Sequence, residues 1–560
     1  MCGWSRTAKL GASLREPRMI DPRRLVAFAA LAFATALCPR TAPAQTSDKA
    51  IDSIFAAYSA STPGCAVGVE RAGQPAVLRA YGSSDLEHGV ANRVESVFEA
   101  GSVSKQFTAA SVLLLAQDGR LSLQDDARKY IPELPDYGRP ITIAELLGHT
   151  SGLRDWGGVE DIAGWPRGDR VYSLADVLHV AARQRALNYM PGAAWSYTNT
   201  GYNLLALIVE RVSGKALPAF SRERIFVPLG MTHSQWRDDF RRVVPDRAIA
   251  YSAAPGGGFQ QTMPFENAYG NGGLLTTVGD LLIWNRALTQ GSLGAYVTTE
   301  LQRRSTLNDA RVVDYARGLF IDRYKGLSQV AHSGATAGYR AWLGRYPDQG
   351  LSIALLCNAA EAQTGKLAHA VADLYLPGEA PLPAAAPAAT SKPDSSLAKW
   401  AGLYVDDRAG APMTLTWRGD HLQTDDGAGL QPLPDGTFRL GAAPATLLPD
   451  GRIQLDATGD VVTFTRAQPY APDRAALQPI VGRYHSEEAE AVFVVAFDGD
   501  RLRFTVEDRP DASGLLKPVY TDAFLGPQGI VRLVRDAGGA VTALRLSNDR
   551  VWDLRAERDK

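Results

Sequence analysis

Cysteine is scarce in this sequence of 560 residues, which contains four. It has no Cys-x-x-Cys and no His-Glu-x-x-His motif, and its eight histidines are scattered along the chain. We therefore expect no metal and no cofactor. A Gly-x-Ser-x-Gly elbow is also missing, which disfavours an α/β-hydrolase. The formal net charge of −1 and the lack of a long basic run argue against a nucleic-acid partner.

Long apolar runs are absent after the N-terminal region, so we expect no integral membrane span. Near the N-terminus, Arg23-Arg24 precede an apolar run over residues 25–37, and Ala42-Pro43-Ala44 follows. A basic segment, a short apolar core and small residues are typical of a signal peptide, here residues 1–44. The apolar run is too short to favour a membrane anchor. The pattern predicts a periplasmic or secreted protein of bacterial type.

Cys65 and Cys357 remain after removal of such a signal, and each lies in a strand-like run. An oxidising compartment permits a disulfide. Buried free cysteines are nevertheless common in apolar strands. The sequence leaves both alternatives open.

The order of helical and strand patterns divides the rest of the chain. Residues 46–378 carry strand patterns at both ends and helical patterns between, which predicts an α+β domain with one sheet built from both chain ends. Residues 379–396 are rich in proline and alanine, as expected of an interdomain linker.

The C-terminal part contains an internal duplication. Three residues recur about eighty positions later: Leu397, Gly402 and Tyr404 as Leu477, Gly482 and Tyr484. Each copy alternates short β-rich runs with Asp-Gly turns, which is typical of antiparallel strands. Two copies are too few for a solenoid. We predict two small antiparallel β-barrels, over residues 397–468 and 477–560.

The stretch Ser102-Val103-Ser104-Lys105 carries candidate chemistry. Apolar residues follow at helical spacing up to Gly119, which suits the position after a helix end. If Ser102 opens this helix, Lys105 lies one turn on and on the same face. A serine hydroxyl needs a neighbouring base to act as a nucleophile at neutral pH.

Two later segments supply partners for this pair. Tyr197 and Asn199 lie in one polar stretch, and a tyrosine beside a lysine can have a depressed phenol pKa. Ala331-His332-Ser333-Gly334-Ala335 reads as a strand edge at which glycine allows a ligand to approach the backbone. Such an edge can donate one backbone N–H to an oxyanion, with the N–H of Ser102 as the second donor.

These three segments, in this order, resemble those of the serine β-lactamase and penicillin-binding superfamily. The likeness is strongest to the class C-like branch, which includes D-aminopeptidases and esterases. It implies a mixed α/β domain with an antiparallel sheet flanked by helices. It also implies Ser102 as the nucleophile, Lys105 as its proton-transfer partner and Tyr197 as the general base. The implied substrate-binding residues are Asn199, His332, Gly334 and Ala335.

One position departs from the pattern of true β-lactamases, which usually have lysine where this chain has His332. Histidine is mostly neutral at pH 7, so a charge facing a substrate carboxylate is lost. This favours the peptidase and esterase branches. The two C-terminal units are similar to the lipocalin-like domains of D-aminopeptidases in this superfamily, which border or cover the active site.

We therefore expect an exported serine hydrolase that forms an acyl-enzyme with small amide or ester substrates, D-aminopeptidase-like in type. Its partner would be a small-molecule or short-peptide substrate, and the oligomeric state stays open. The alternatives are a β-lactamase or carboxylesterase, and a protein that binds penicillin or peptidoglycan with little turnover.

Overall fold

The computed structural model describes residues 44–376, 395–433, 436–441 and 443–560. The signal-peptide prediction and most of the linker prediction lie outside these residues. The α-helices are α1 (Ala44–Ile54), α2 (Lys105–Gln117), α3 (Ile143–Leu147), α4 (Trp156–Ile162), α5 (Leu174–Arg183), α6 (Asn199–Ser213), α7 (Leu217–Ser221), α8 (Val227–Leu229), α9 (Val278–Gln290), α10 (Ala295–Leu301), α11 (Thr364–Asp373) and α12 (Arg474–Leu477). Within the described ranges, none of these helices has the length and apolar character needed to cross a bilayer.

Thirteen strands precede residue 376 in the described part of the chain. They are β1 (Cys65–Arg71), β2 (Val77–Tyr81), β3 (Ser83–Asp85), β4 (Val90–Ala91), β5 (Phe98–Glu99), β6 (Gln235–Trp236), β7 (Tyr251–Ala253), β8 (Phe259–Gln261), β9 (Leu274–Thr276), β10 (Phe320–Tyr324), β11 (Leu327–Thr336), β12 (Tyr339–Tyr346) and β13 (Leu351–Cys357). The main sheet is antiparallel, in the order β10-β11-β12-β13-β1-β2. Because β1 pairs with β13, it joins the two ends of the domain, and the α+β prediction is confirmed.

The alternation of side chains along β1 places a helical layer on each face of this sheet. Ala66 lies in the core cluster that includes residues of α2 and α9. Its neighbours Cys65 and Val67 lie in the opposite cluster, with residues of α1 and α11. Helix α2 is buried along nearly its whole length. The helix that carries Lys105 is therefore a rigid interior element.

Cys65 and Cys357 lie directly opposite each other on β1 and β13, with their Cα atoms 4.0 Å apart, and form a disulfide. Of the two alternatives that the sequence left open, the structure contains the bridge. It closes a loop over 292 positions and fixes the two ends of the α+β domain to each other.

The C-terminal part forms two closed antiparallel barrels of eight strands each. The first contains β14 (Gly402–Asp406), β15 (Pro412–Trp417), β16 (Leu422–Thr424), β17 (Gly429–Pro432), β18 (Phe438–Leu440), β19 (Ala443–Leu447), β20 (Ile453–Ala457) and β21 (Asp460–Ala467). The second contains β22 (Gly482–Ser486), β23 (Ala491–Asp498), β24 (Arg501–Val506), β25 (Arg509–Tyr520), β26 (Ala523–Gly526), β27 (Gly529–Arg535), β28 (Val541–Asn548) and β29 (Val551–Arg558). The prediction of two barrels is confirmed.

The duplicated tyrosine makes the same contacts in each barrel. Tyr404 is fully buried and donates its hydroxyl hydrogen to the carbonyl four residues earlier, and Tyr484 does likewise. An arginine of the last strand lies over each ring, Arg466 at 5.2 Å and Arg558 at 5.8 Å from the ring centroid. The repeat in the sequence therefore reflects a repeated strand-closure contact.

Candidate active site

Ser102 lies in a 3-10 turn, Gly101–Ser104, that directly precedes α2. The α-helix itself begins at Lys105, three residues later than the sequence predicted. The turn still places the two side chains on one side, with Lys105 Nζ 3.2 Å from Ser102 Oγ. The predicted helix end is found, since Gly119 follows α2 with φ of +70°.

Two glycines allow the turn with Ser102 to lie against β11, backbone to backbone. Gly101 has φ of +51°, and a Cβ there would lie 2.6 Å from the backbone nitrogen of Ala335. A Cβ on Gly334 would lie 2.0 Å from the carbonyl oxygen of Ala100. Neither position tolerates a side chain without movement of backbone. The predicted strand edge is therefore in place beside the candidate nucleophile.

The free edge of β11 begins where its partner strand ends. The pairing of β10 with β11 stops at Ala331, while β11 continues to Thr336 and pairs with β12 on its other side. Residues 332–336 thus present one backbone edge that β10 does not cover. An extended substrate has room to pair along this edge.

Lys105 is completely buried and has three polar neighbours. Besides Ser102, its Nζ lies 2.9 Å from Asn199 Oδ1 and 2.7 Å from the carbonyl oxygen of Asn271. Burial, and secondly the positive charge of Arg550, hold the pKa of Lys105 well below its ordinary value. The two oxygens only accept, so an uncharged amine would donate to both and direct its lone pair at the Ser102 hydroxyl.

Tyr197 lies beside this pair, with Lys105 Nζ 4.7 Å from the centroid of its ring. Its hydroxyl is buried and has no hydrogen-bond partner at normal distance among the described residues, although Ser102 is near enough to lower its pKa. Burial outweighs this effect and raises the pKa of Tyr197 above its ordinary value. The expected depression of the phenol pKa is therefore wrong, because desolvation of the anion exceeds the attraction of nearby charges. Tyr197 keeps its proton in the free enzyme.

Asn199 is fixed by a carboxylate that the sequence analysis missed. Its backbone N–H donates to Asp155 Oδ2 at 2.6 Å, while Asp155 Oδ1 accepts from Gly158 and caps α4. Asp155 is buried and so couples the first turns of α4 and α6. Sequence offered only the weak signal of an aspartate at a helix start.

His332 is neutral. Its Nδ1 lies 2.5 Å from the carbonyl oxygen of Ser333, and its Nε2 lies 3.2 Å from the hydroxyl of Tyr315. Nδ1 must carry the proton to donate to a carbonyl, so Nε2 accepts from Tyr315. Burial, and secondly Lys105 in its protonated form, lower the pKa of His332 to about 3. The strand therefore brings no positive charge to the cleft at neutral pH.

His149 belongs to the aromatic wall behind Tyr197. Their ring centroids are 4.3 Å apart, and Tyr315 lies 4.6 Å from His149 on another side. His149 is fully buried and has φ of +59°. His149 supports the ring of Tyr197 and does not line the cavity around Ser102.

The cavity around Ser102 has a volume of about 600 Å³ and is lined by residues of both the α+β domain and the second barrel. The barrel contributes Arg550, from the turn between β28 and β29. Its guanidinium carbon lies 5.1 Å from the centroid of the Tyr197 ring. No sequence motif marks Arg550, because its position in the cleft depends on how the barrel docks.

The hairpin turn is fixed by backbone contacts with the α+β domain. The carbonyl oxygen of Arg550 accepts from Asn188 Nδ2 at 3.0 Å and from the Asp155 N–H at 3.3 Å. Asn188 Oδ1 in turn accepts from the N–H of Trp552. Asn548 Nδ2 donates to the carbonyl of Gly158. The tip of the hairpin is therefore a fixed part of the cleft wall.

Potential metal ligands cluster once in the described ranges, at Asp85, Glu87 and His88. Two of them are exposed, and none lines the cavity around Ser102.

Comparison with known proteins agrees with this geometry. The family model described as Beta-lactamase matches residues 51–376, more than half of the chain. The chain belongs to the Beta-lactamase family. Family membership confirms the resemblance to the serine β-lactamase and penicillin-binding superfamily and makes the chain a serine hydrolase.

Individual relatives differ in how much of the chain they match. A D-aminopeptidase of Cereibacter sphaeroides (strain KD131 / KCTC 12085) is 29% identical over 528 residues, which cover 89% of this chain and 96% of the relative. Penicillin-binding protein 4* of Bacillus subtilis (strain 168) is 28% identical over 299 residues, 50% of this chain and 65% of that protein. The octameric penicillin-binding protein homologue of Pyrococcus abyssi shares the fold, with a TM-score of 0.54 at 20% identity over 92% of this chain and 99% of that one.

Proposed function

We propose that this chain is an exported hydrolase of D-aminoacyl amides and peptides that acts through an acyl-enzyme on Ser102. The observation that carries the proposal is the arrangement around Lys105, whose two other neighbours are oxygen acceptors and whose remaining direction faces Ser102 Oγ. The substrate class rests on the D-aminopeptidase of Cereibacter sphaeroides, which is matched over nearly its full length, barrels included.

In the first step, Lys105 takes the proton of the Ser102 hydroxyl as Oγ attacks the amide carbonyl. The lowered pKa of Lys105 favours the uncharged amine that this step needs. The N–H groups of Ser102 and Ala335 are assigned to the developing oxyanion. Gly101 and Gly334 allow these two backbone segments to meet.

In the second step, the amide C–N bond breaks and the leaving amine takes a proton. We assign its delivery to Tyr197, because this residue retains its proton and its hydroxyl lies next to Ser102. Lys105 then returns a proton to the Tyr197 oxygen. Water hydrolyses the ester at Ser102 by the same groups in reverse roles. We assign Asn199 and the edge at His332 and Gly334 to holding the substrate.

A specialised β-lactamase is the less favoured alternative. Its strand lysine is replaced by His332, and the low pKa of this histidine removes the corresponding charge. Export is supported by the signal-peptide pattern in residues 1–44 and by the disulfide between Cys65 and Cys357, since disulfides persist in oxidising compartments.

Labelling of the purified protein with a fluorescent fluorophosphonate and a fluorescent penicillin tests the acyl-enzyme. Wild type is expected to form an adduct with at least one of them, and Ser102→Ala with neither. Ser333→Ala is the matched control, because Ser333 is an exposed serine of the same cavity. Hydrolysis of D- and L-aminoacyl amides, p-nitrophenyl esters and a chromogenic cephalosporin then separates the branches. Ser102-independent labelling, or a faster reaction with the cephalosporin, would contradict the proposal.

A further inference from the structure

The charged residues that line the cavity around Ser102 are all cationic in the described part of the chain. They are Arg167, Arg340, Lys366 and Arg550. The lining favours a substrate that brings a negative charge in addition to the free amino group of the proposed D-aminoacyl substrates.

Two of these arginines differ in whether their charge is already compensated. Arg167 forms a two-point ion pair with the buried carboxylate of Glu266. The guanidinium of Arg550 makes no ion pair or hydrogen bond with any described residue. It lies against the face of the Tyr197 ring, and the carboxylate of Asp161, in the adjoining cavity, is near enough to interact with its charge. Asp549, the residue before Arg550, lines neighbouring cavities and not this one. Arg550 therefore has its donors available.

Arg550 combines a fixed backbone with an unpartnered side chain. Its carbonyl is held by Asn188 and Asp155, and its N–H donates to Asn548 Oδ1 at 3.1 Å. Fixing the chain on both sides of a guanidinium lowers the entropy that binding must remove. The planar fork of donors suits a carboxylate, which it can bind at two points.

The position of Arg550 indicates which end of a substrate it meets. It lies over Tyr197, the residue that we assign to protonation of the leaving amine. A group within reach of Arg550 is therefore on the leaving-group side of the scissile bond. In a dipeptide with a free C-terminus, that side carries the terminal carboxylate.

We propose that Arg550 of the second barrel binds a carboxylate carried by the leaving group, so that the enzyme prefers peptides with a free C-terminal carboxylate over neutral amides. The inference rests on the proposed function. It gives the barrel a direct part in substrate choice, and it supplies from another domain the positive charge that His332 does not provide.

Two aryl amides of D-alanine test the proposal, D-alanyl-3-aminobenzoate and the neutral D-alanyl-3-aminobenzamide. Wild type is expected to show a kcat/KM about 10- to 100-fold higher for the benzoate. Arg550→Gln should bring the ratio of the two values close to one, and Arg550→Lys should leave it intermediate. High salt should reduce the preference of the wild type. Arg555→Gln is the matched control, an exposed arginine on β29 paired with Glu557 outside the cavity, and should keep the wild-type ratio.

The outcomes separate the inference from the function on which it rests. Ser102-dependent hydrolysis of both compounds without a preference, or a preference that Arg550→Gln retains, would overturn the role of Arg550 and leave the proposed function standing. Failure of the wild type to hydrolyse either compound would overturn both. A ratio that falls equally in Arg555→Gln would show a general charge effect and reject a specific contact.

Discussion

A buried ion pair helps to hold the second barrel against the α+β domain, and breaking it should weaken the attachment of the hairpin that carries Arg550. Arg154 Nη1 lies 2.7 Å from Glu488 Oε1, and the two side chains are 1% and 9% exposed. Arg154 also donates to the carbonyls of Trp552 and Asp553, on β29. Every donor group of this guanidinium is thus committed to the interface.

Removal of one partner from a buried pair leaves the other charge without compensation, which costs about 3 to 5 kcal/mol. Glu488→Gln keeps the size of the side chain and an oxygen for the backbone donors of Arg185 and Ala186, so it isolates the loss of charge. Arg154→Met should cost a similar amount. The double variant Arg154→Met/Glu488→Gln should cost at least about 2 kcal/mol less than the sum, because neither charge is left alone.

Urea denaturation of the four proteins, followed by tryptophan fluorescence, gives this double-mutant cycle from the earliest transition. Several domains are present, so hydrogen exchange around Asn188 and Trp552 should localise that transition to the interface. Arg555→Gln, which breaks the exposed ion pair with Glu557, should lower the free energy of unfolding by less than about 1 kcal/mol. If Glu488→Gln costs no more than this control, or if the two single effects simply add, the pair does not hold the barrel.

Three further outcomes follow from the disulfide, the strand and the missed carboxylate. Replacing Cys65 and Cys357 with alanine should cost about 5 kcal/mol by loop-closure entropy, seen as a lower Tm, and an unchanged Tm would contradict it. His332 has a folded pKa of about 3 and an unfolded pKa near 6.5, so the unfolded chain binds the proton first and stability falls as pH drops from 6.5 towards 3. Between pH 7 and pH 4, the free energy of unfolding of His332→Asn, measured by urea denaturation, should fall by about 3 kcal/mol less than that of the wild type. Equal falls in the two proteins would refute this prediction. Asp155→Asn should lower kcat about tenfold and raise KM, because Asn199, which contacts Lys105 and is assigned to holding the substrate, loses a charge-assisted anchor. Unchanged kcat and KM would contradict this role of Asp155.

Local sequence patterns predicted much of the fold. The spacing of apolar residues after Ser102 predicted a helix that ends before Gly119, because both features depend on neighbours within two turns. The error at its start comes from a contact with a distant strand. Gly101 adopts a positive φ to contact β11, and the chain enters α2 through a 3-10 turn.

The sequence by itself predicted the residues of the candidate site, through short motifs in a fixed order, and the two-barrel architecture, through a repeat. The tertiary structure decided their electrostatic state. Burial raised the pKa of Tyr197 where the sequence suggested a lower one, and it lowered that of Lys105. The tertiary structure also placed Asp155 beside Asn199 and Arg550 in the wall of the cleft. Desolvation and contacts between distant segments depend on how the whole chain packs, so no local pattern contains them.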